Sequence, residues 1–221
     1  MLKPPFTKAN VRETIAKVGG VLEGSYFIAF KKSPNVSTKY INIDPLLSYP
    51  ELMLKIGGLL VKDWAGEFDT LAAPAVGGIP VAYAAALNVY TTTGRKPRVV
   101  WADKVAGESF EFERLGFIKA VKGKRVLVIK DVTSTGSSTK AVCDLVHKYG
   151  GNLVGASVIW NRGDVSKKTI GAPRLDSLVS EQIPTWEAGA HKMWGKWPLV
   201  TDVGQSDHFP DYPGPRVKIL A

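Results

Sequence analysis

From residue 69 onward the sequence repeats one arrangement: a short apolar run, a turn containing glycine, then a helix. The runs cover residues 70–73, 98–102, 125–129 and 153–160, and between them helical patterns span about 79–87 and 137–149. Runs of four to eight apolar residues with no polar alternation are buried on both faces, which is how parallel strands covered by helices are written. The predicted class is therefore α/β, with a mostly parallel sheet flanked by helices.

Upstream of that pattern the spacing predicts a short helix capped by Asn10 and stopped at Gly19-Gly20. Strands at 26–30 and 39–43 follow, joined as a hairpin by the polar turn KKSPNVS. Ser48 as N-cap and Pro50 at the first helical position predict a helix to about Trp64, with Leu52, Ile56, Leu59 and Leu60 on one face. Residues 104–122 carry no core pattern and read as a long flexible excursion of the kind used for lids and binding loops. The tail from Pro184 onward holds Trp186, Trp194, Trp197 and five prolines, Pro184 included, and is expected to wrap over the surface. The expected organisation is one domain over 1–221, with a small N-terminal segment at 1–48, a core at 69–180 and a surface tail at 184–221.

The stretch with the most chemistry is RVLVIKDVTSTGSSTKAV, residues 125–142. A buried strand ends at Lys130-Asp131, a loop of small hydroxyl residues with one glycine follows, and a helix begins at once. Backbone N–H groups at that helix start, with the hydroxyls of Thr133, Ser134, Thr135, Ser137 and Ser138, can surround a phosphate, and Gly136 lets the backbone approach closely. An ordinary Ser/Thr-capped turn has the same composition. The Gly-Lys-Ser/Thr ending of a P-loop and the G-x-G-x-x-G of a dinucleotide fold are both absent.

KDVTSTGSS resembles the 5-phosphoribosyl 1-diphosphate (PRPP) signature of type I phosphoribosyltransferases, two acidic residues and a Thr/Gly-rich loop at the end of a hydrophobic strand. Three further stretches resemble orotate phosphoribosyltransferases in the same order. FDTLAAPAVGGIPVAYAAAL is similar to the pyrophosphate loop and its helix, which implies that Ala75, Val76, Gly77 and Gly78 bind pyrophosphate. WADKVAGESFEFERLGF is similar to the mobile catalytic loop, with Lys104 at its lysine, and SVIWNRG ends in Arg162 at the orotate-contacting arginine. FKKSPNVSTKYIN resembles the hood segment, with Lys32 at its substrate lysine. The resemblance covers about residues 20–180 and implies the type I phosphoribosyltransferase fold with a small N-terminal hood.

What it implies about function is a pentosyl transfer: ribose 5-phosphate moves from PRPP to N1 of orotate, giving orotidine 5′-monophosphate and pyrophosphate in pyrimidine biosynthesis. Residues 130–138 (Lys130, Asp131, Val132, Thr133, Ser134, Thr135, Gly136, Ser137 and Ser138) would bind PRPP, with Lys104 and Asp131 catalytic. The implied cofactor is Mg²⁺, carried by PRPP rather than by protein ligands, and a homodimer is implied because the family's loop reaches a neighbouring subunit. Two other readings stay open: a purine or uracil phosphoribosyltransferase, and a PRPP- or nucleotide-sensing protein of the same fold.

One departure stands out. The family places two adjacent carboxylates on the ribose hydroxyls, and this chain has Lys130-Asp131. An ionised carboxylate accepts from two hydroxyls, whereas an ammonium only donates. Taken without the resemblance, Lys104 is an ordinary surface charge, Arg162 can cap its strand and pair with Asp164, Gly77-Gly78 can be a plain helix-start turn, and Cys143 is core.

Composition narrows the class further. Lys and Arg number 29 against 20 Asp and Glu, a formal charge of +9, which suits anionic partners. The cations are spread without a basic block and no helix-turn-helix or RNA-binding signature is visible, so nucleic acid is disfavoured. A single cysteine excludes a disulfide framework and fits a cytoplasmic protein. The first residues carry no apolar leader and no run is long enough to span a membrane. His147, His191 and His208 make no metal spacing.

Overall fold

A computed structural model describes residues 6–30, 35–105, 109–204 and 206–219. In chain order, α1 spans Lys8–Lys17, β1 Val21–Ala29, β2 Asn35–Ile41, α2 Asp44–Leu47 and α3 Pro50–Lys62. Then come β3 Thr70–Pro74, α4 Gly78–Thr93, β4 Arg98–Lys104, β5 Phe110–Glu111, α5 Phe117–Val121, β6 Arg125–Thr133 and α6 Ser137–Lys148. The chain continues as β7 Asn152–Asn161, α7 Lys167–Ile170, β8 Leu175–Ser180, β9 Trp186–Glu187, β10 Leu199–Val200 and β11 Arg216–Val217. It divides into two compact units, residues 1–18 with 43–182, and residues 19–42 with 183–221.

The first unit is built on a six-stranded sheet of order β5-β4-β3-β6-β7-β8. All pairs are parallel except β4 with β5. Val100, Ala72, Val128 and Ala156 lie in one register across the four central strands. These four belong to a buried cluster with Val142, Cys143, Leu145 and Val146 of α6, so α6 covers that face. Alternation sends Ser157 to the opposite face, where its hydroxyl donates to the Leu60 carbonyl of α3 at 2.8 Å. On that side α3 packs on α4 at Gly57, where a side chain would run into the Ala84-Ala85 backbone. The apolar runs predicted at 70–73, 98–102, 125–129 and 153–160 thus all lie in strands of this sheet.

Several local expectations shift. Asn10 lies inside α1, and its side-chain Oδ1 accepts from the Thr7 N–H and hydroxyl, both at 3.0 Å; Thr7 is the N-cap residue. Ser48 ends the short α2 instead of opening α3, whose N-cap is Tyr49. The excursion at 104–122 is partly ordered: β5 turns back on β4, α5 follows, and Arg114 bonds Asp103 at 2.9 Å while its guanidinium stands 5.8 Å from the Trp101 ring centre.

The second unit holds a five-stranded sheet of order β11-β10-β1-β2-β9. The tail is therefore not a surface wrap: it supplies three strands to the sheet begun by the β1–β2 hairpin. Its aromatic residues form the core of that sheet. Phe27, Ala29, Val36, Leu199 and Tyr212 are buried together, with Met193, Trp194, Trp197 and Phe209 packed against them. Trp194 meets the Tyr212 ring edge-on at 4.7 Å between centres.

Candidate active site

The C-terminal ends of parallel strands are where an open α/β sheet presents loops to ligands. Four loops of this sheet carry the residues singled out by sequence: those after β3, β4, β6 and β7.

The loop after β6 makes a tight turn into α6. Gly136 has φ of +81°, a left-handed conformation that favours glycine, and it is also crowded. A side chain there would stand 2.9 Å from Val165 and 3.1 Å from Ile170. The Thr135 hydroxyl donates to the Ser137 hydroxyl at 3.1 Å and accepts from the Ser137 N–H at 3.4 Å. The first-turn N–H groups of the 12-residue α6 point back into this loop, the standard arrangement for meeting a phosphate. Of the predicted residues, Thr133 is buried, while Ser134, Thr135 and Ser137 are exposed.

The loop after β3 sits beside it. Gly77 approaches Asp131 so closely that a side chain on Gly77 would collide with Oδ2 of that carboxylate. The Ala75 N–H donates to the Ala102 carbonyl at 2.9 Å, the Ala75–Val76 peptide is cis, and Val76 is exposed at the tip. Strand order explains this meeting, because β3 and β6 are hydrogen-bonded neighbours.

Lys130 does not turn away to a surface carboxylate. Its ammonium pairs with Oδ1 of Asp131, the next residue, and both side chains are largely buried, 14% and 19% exposed. Burial pushes the Lys130 ammonium down to about 8. Asp131 Oδ1 makes no hydrogen bond with any other described group.

Arg162 follows β7 and is buried, and its N–H donates to the Thr133 carbonyl at 2.9 Å. The turn that holds it depends on Asn161, which sequence reasoning passed over. Asn161 donates through Nδ2 to the Val165 carbonyl at 2.7 Å and accepts through Oδ1 from the Val165 N–H at 3.0 Å. The signal was the run Asn161-Arg162-Gly163-Asp164, in which Asn and Asp are turn formers whose side chains bond nearby backbone. Gly163 was missed as well: a side chain there would collide with the Ser134 carbonyl, so glycine lets the β7 loop lie against the phosphate loop. The structure thus gathers residues 75–78, 130–138 and 162–163 along one edge. Lys104 ends β4, paired in register with Phe110 of β5, and its side chain is exposed. Lys32 lies outside the described residues. Cys143 is fully buried in the α6 core, which pushes its thiol up to about 12.

A family model of the phosphoribosyl transferase domain matches residues 46–188. The chain belongs to that family. Among its curated relatives, the orotate phosphoribosyltransferase of Caldanaerobacter subterraneus subsp. tengcongensis is 31% identical over 181 residues, 81% of this chain and 88% of the relative. That of Thermotoga maritima is 29% identical over 178 residues, with 80% and 88% covered. The solved orotate phosphoribosyltransferase of Aeropyrum pernix superposes with a TM-score of 0.60 at 23% identity, covering 77% of this chain and 93% of that one. The Mycobacterium tuberculosis enzyme in complex with PRPP gives 0.56 at 22% identity, with 81% and 91% covered. The type I phosphoribosyltransferase fold expected from sequence is the fold observed.

In this phosphoribosyltransferase no group of three or more His, Cys, Asp or Glu side chains is placed to hold a metal ion among the described residues. At the end of β6 the carboxylate of Asp131 is already matched by an ammonium. The residues present do not compose a protein-held divalent cation site there.

Proposed function

We propose that this phosphoribosyltransferase transfers ribose 5-phosphate from PRPP to N1 of orotate, releasing pyrophosphate. The observation that carries the reading is the juxtaposition of the glycine-containing loop 75–78 and the hydroxyl-rich loop 133–138 at Asp131, within a chain whose relatives over four fifths of its length are orotate phosphoribosyltransferases.

In this reading the 5′-phosphate lies on the N–H groups opening α6, with the hydroxyls of the 133–138 loop around it. The pyrophosphate lies along Gly77-Gly78, and Asp131 accepts from a ribose hydroxyl. Bond breaking at C1 places positive charge on the sugar and negative charge on the departing pyrophosphate. Lys104, at the root of the excursion, stabilises that negative charge more in the transition state than in the ground state, which raises turnover. The segment it roots closes to keep water from the cationic sugar. Arg162 meets the carboxylate of orotate, with Lys32 the second cation that the resemblance assigns. Magnesium enters as the counter-ion of PRPP, part of the substrate.

A homodimer belongs to the same proposal. Its support is an apolar stripe on α4: Tyr83, Leu87 and Tyr90 are spaced four and three residues apart and each is about half exposed. The cytoplasm is the compartment proposed; the lone cysteine supports it, and no helix among the described residues is long and apolar enough to cross a membrane.

The test is direct. Purified protein with orotate, PRPP and Mg²⁺ should consume orotate and release one pyrophosphate per turnover. Consumption of adenine or uracil in preference to orotate would overturn the acceptor, and PRPP binding without transfer to any base would overturn the enzyme.

A further inference from the structure

Lys130 is a largely buried cation. It lies three residues before the end of the central strand β6, next to the 75–78 and 133–138 loops, and its ion-pair partner among the described residues is Asp131. That carboxylate engages Lys130 through Oδ1, while Oδ2 faces Gly77. The ammonium, the carboxylate and the bare Gly77 backbone therefore form a continuous row.

Three consequences follow from charge. First, a carboxylate neutralised by an adjacent ammonium has little attraction left for a divalent cation. Second, an ammonium carries three N–H donors, and one carboxylate oxygen uses one of them. Third, a positive charge taken out of water is destabilised until a second anion joins it, which is why burial draws this lysine down to about 8. A polyanion entering the Gly77 loop relieves that cost, and it does so at the point where a metal would otherwise have to arrive.

We propose that the Lys130 ammonium is the resident cation of the pyrophosphate subsite, so that PRPP and free pyrophosphate bind this chain without a divalent metal. The proposal rests on the phosphoribosyl-transfer reading of the site, and on the side-chain geometry of residues 77, 130 and 131.

Titration calorimetry with pyrophosphate and with PRPP, in EDTA and in excess Mg²⁺ near neutral pH, tests it. The wild type is expected to bind both in EDTA, within about tenfold of its affinity in Mg²⁺. Lys130→Met should weaken binding in EDTA at least about tenfold, the scale of one charge-assisted hydrogen bond, and Lys130→Arg should restore most of it. Unchanged metal-free affinity in Lys130→Met overturns the proposal. So does a wild type that binds pyrophosphate only with Mg²⁺, a result that needs no variant to fold. Orotate consumption is read separately: metal-free binding without it supports the subsite and refutes the acceptor, while orotate consumption with strictly metal-dependent binding does the reverse.

Discussion

Gly77→Ala is a small substitution with a large expected effect. Gly77 has φ of −59° and ψ of −27°, ordinary helical values that alanine adopts without strain. The added methyl would stand 3.1 Å from Asp131 Cγ and overlap Oδ2, so the carboxylate must swing away. It cannot do so freely, because Oδ1 is held by Lys130. An off-rotamer aspartate costs about 0.5–1.5 kcal/mol. The lost backbone freedom of the unfolded chain offsets about 0.4–1 kcal/mol of that. Net stability should therefore change by about 1 kcal/mol or less. Function should change far more. Displacing the hydroxyl acceptor removes a hydrogen bond to a charged group, worth about 1.5–3 kcal/mol, which at about 1.4 kcal/mol per decade is a 10- to 150-fold loss in kcat/KM. Urea unfolding and initial rates of orotate consumption read the two quantities on the same sample. Gly77→Ala should add almost nothing in an Asp131→Ala background, since the two changes strike one contact. A variant with kcat/KM within twofold of wild type, or additive losses in the double variant, refutes the placement of Asp131 on the ribose.

Three further outcomes are expected. Gly136→Val forces a β-branched residue to φ of +81° against Val165 and Ile170, and should cost about 2–4 kcal/mol in urea unfolding together with PRPP affinity; loss of neither would remove the loop from the phosphate site. Lys104→Ala should lower kcat at least about tenfold with PRPP affinity little changed, whereas an effect on KM alone would make the lysine a binding residue. Asp69 is held down to about 2, chiefly by its hydrogen bonds from Arg125. Its folded pKa lies below the unfolded value of about 3.9, so its stabilisation is present above that pH and lost as pH falls toward 2. With the Asp69 side chain 39% exposed, solvent screening keeps the contribution below about 1 kcal/mol, and Asp69→Asn should flatten this limb of an acid-unfolding curve.

What the sequence disclosed and what it withheld divide along physical lines. The four central strands were legible because each reads as an unbroken apolar run, and β3, β6 and β7 are buried on both faces over most of their length. The phosphate loop was legible because strand, small residues and helix are contiguous. β8 went unread because LDSLVS is an edge strand whose first three residues are only partly buried, leaving no long apolar signal. The contact of Gly77 with Asp131 joins residues far apart in sequence and exists only because β3 and β6 are neighbours, a fact of topology that no local pattern encodes. The tail strands are two residues each. Such strands are defined by their partners, and nothing in WE, LV or RV announces pairing. Asn10 and Ser48 misled in another way, since both are good caps and the helices began at different residues.

The second unit also sets an order of events during synthesis. Its sheet joins residues 19–42 to residues 183–221, so the β1–β2 hairpin leaves the ribosome long before β9, β10 and β11 exist. Until then the edge of β1 that will receive β10 and the edge of β2 that will receive β9 stay unpaired, and Phe27, Ala29 and Val36 lack the tail aromatics that later cover them. Exposed edges and apolar residues of this kind invite association with other chains. The intervening 140 residues carry their own core and can fold meanwhile. The second unit is therefore the last part of the protein to be completed, and a chain cut short before residue 199 would keep its phosphate loop while leaving an aggregation-prone hairpin behind.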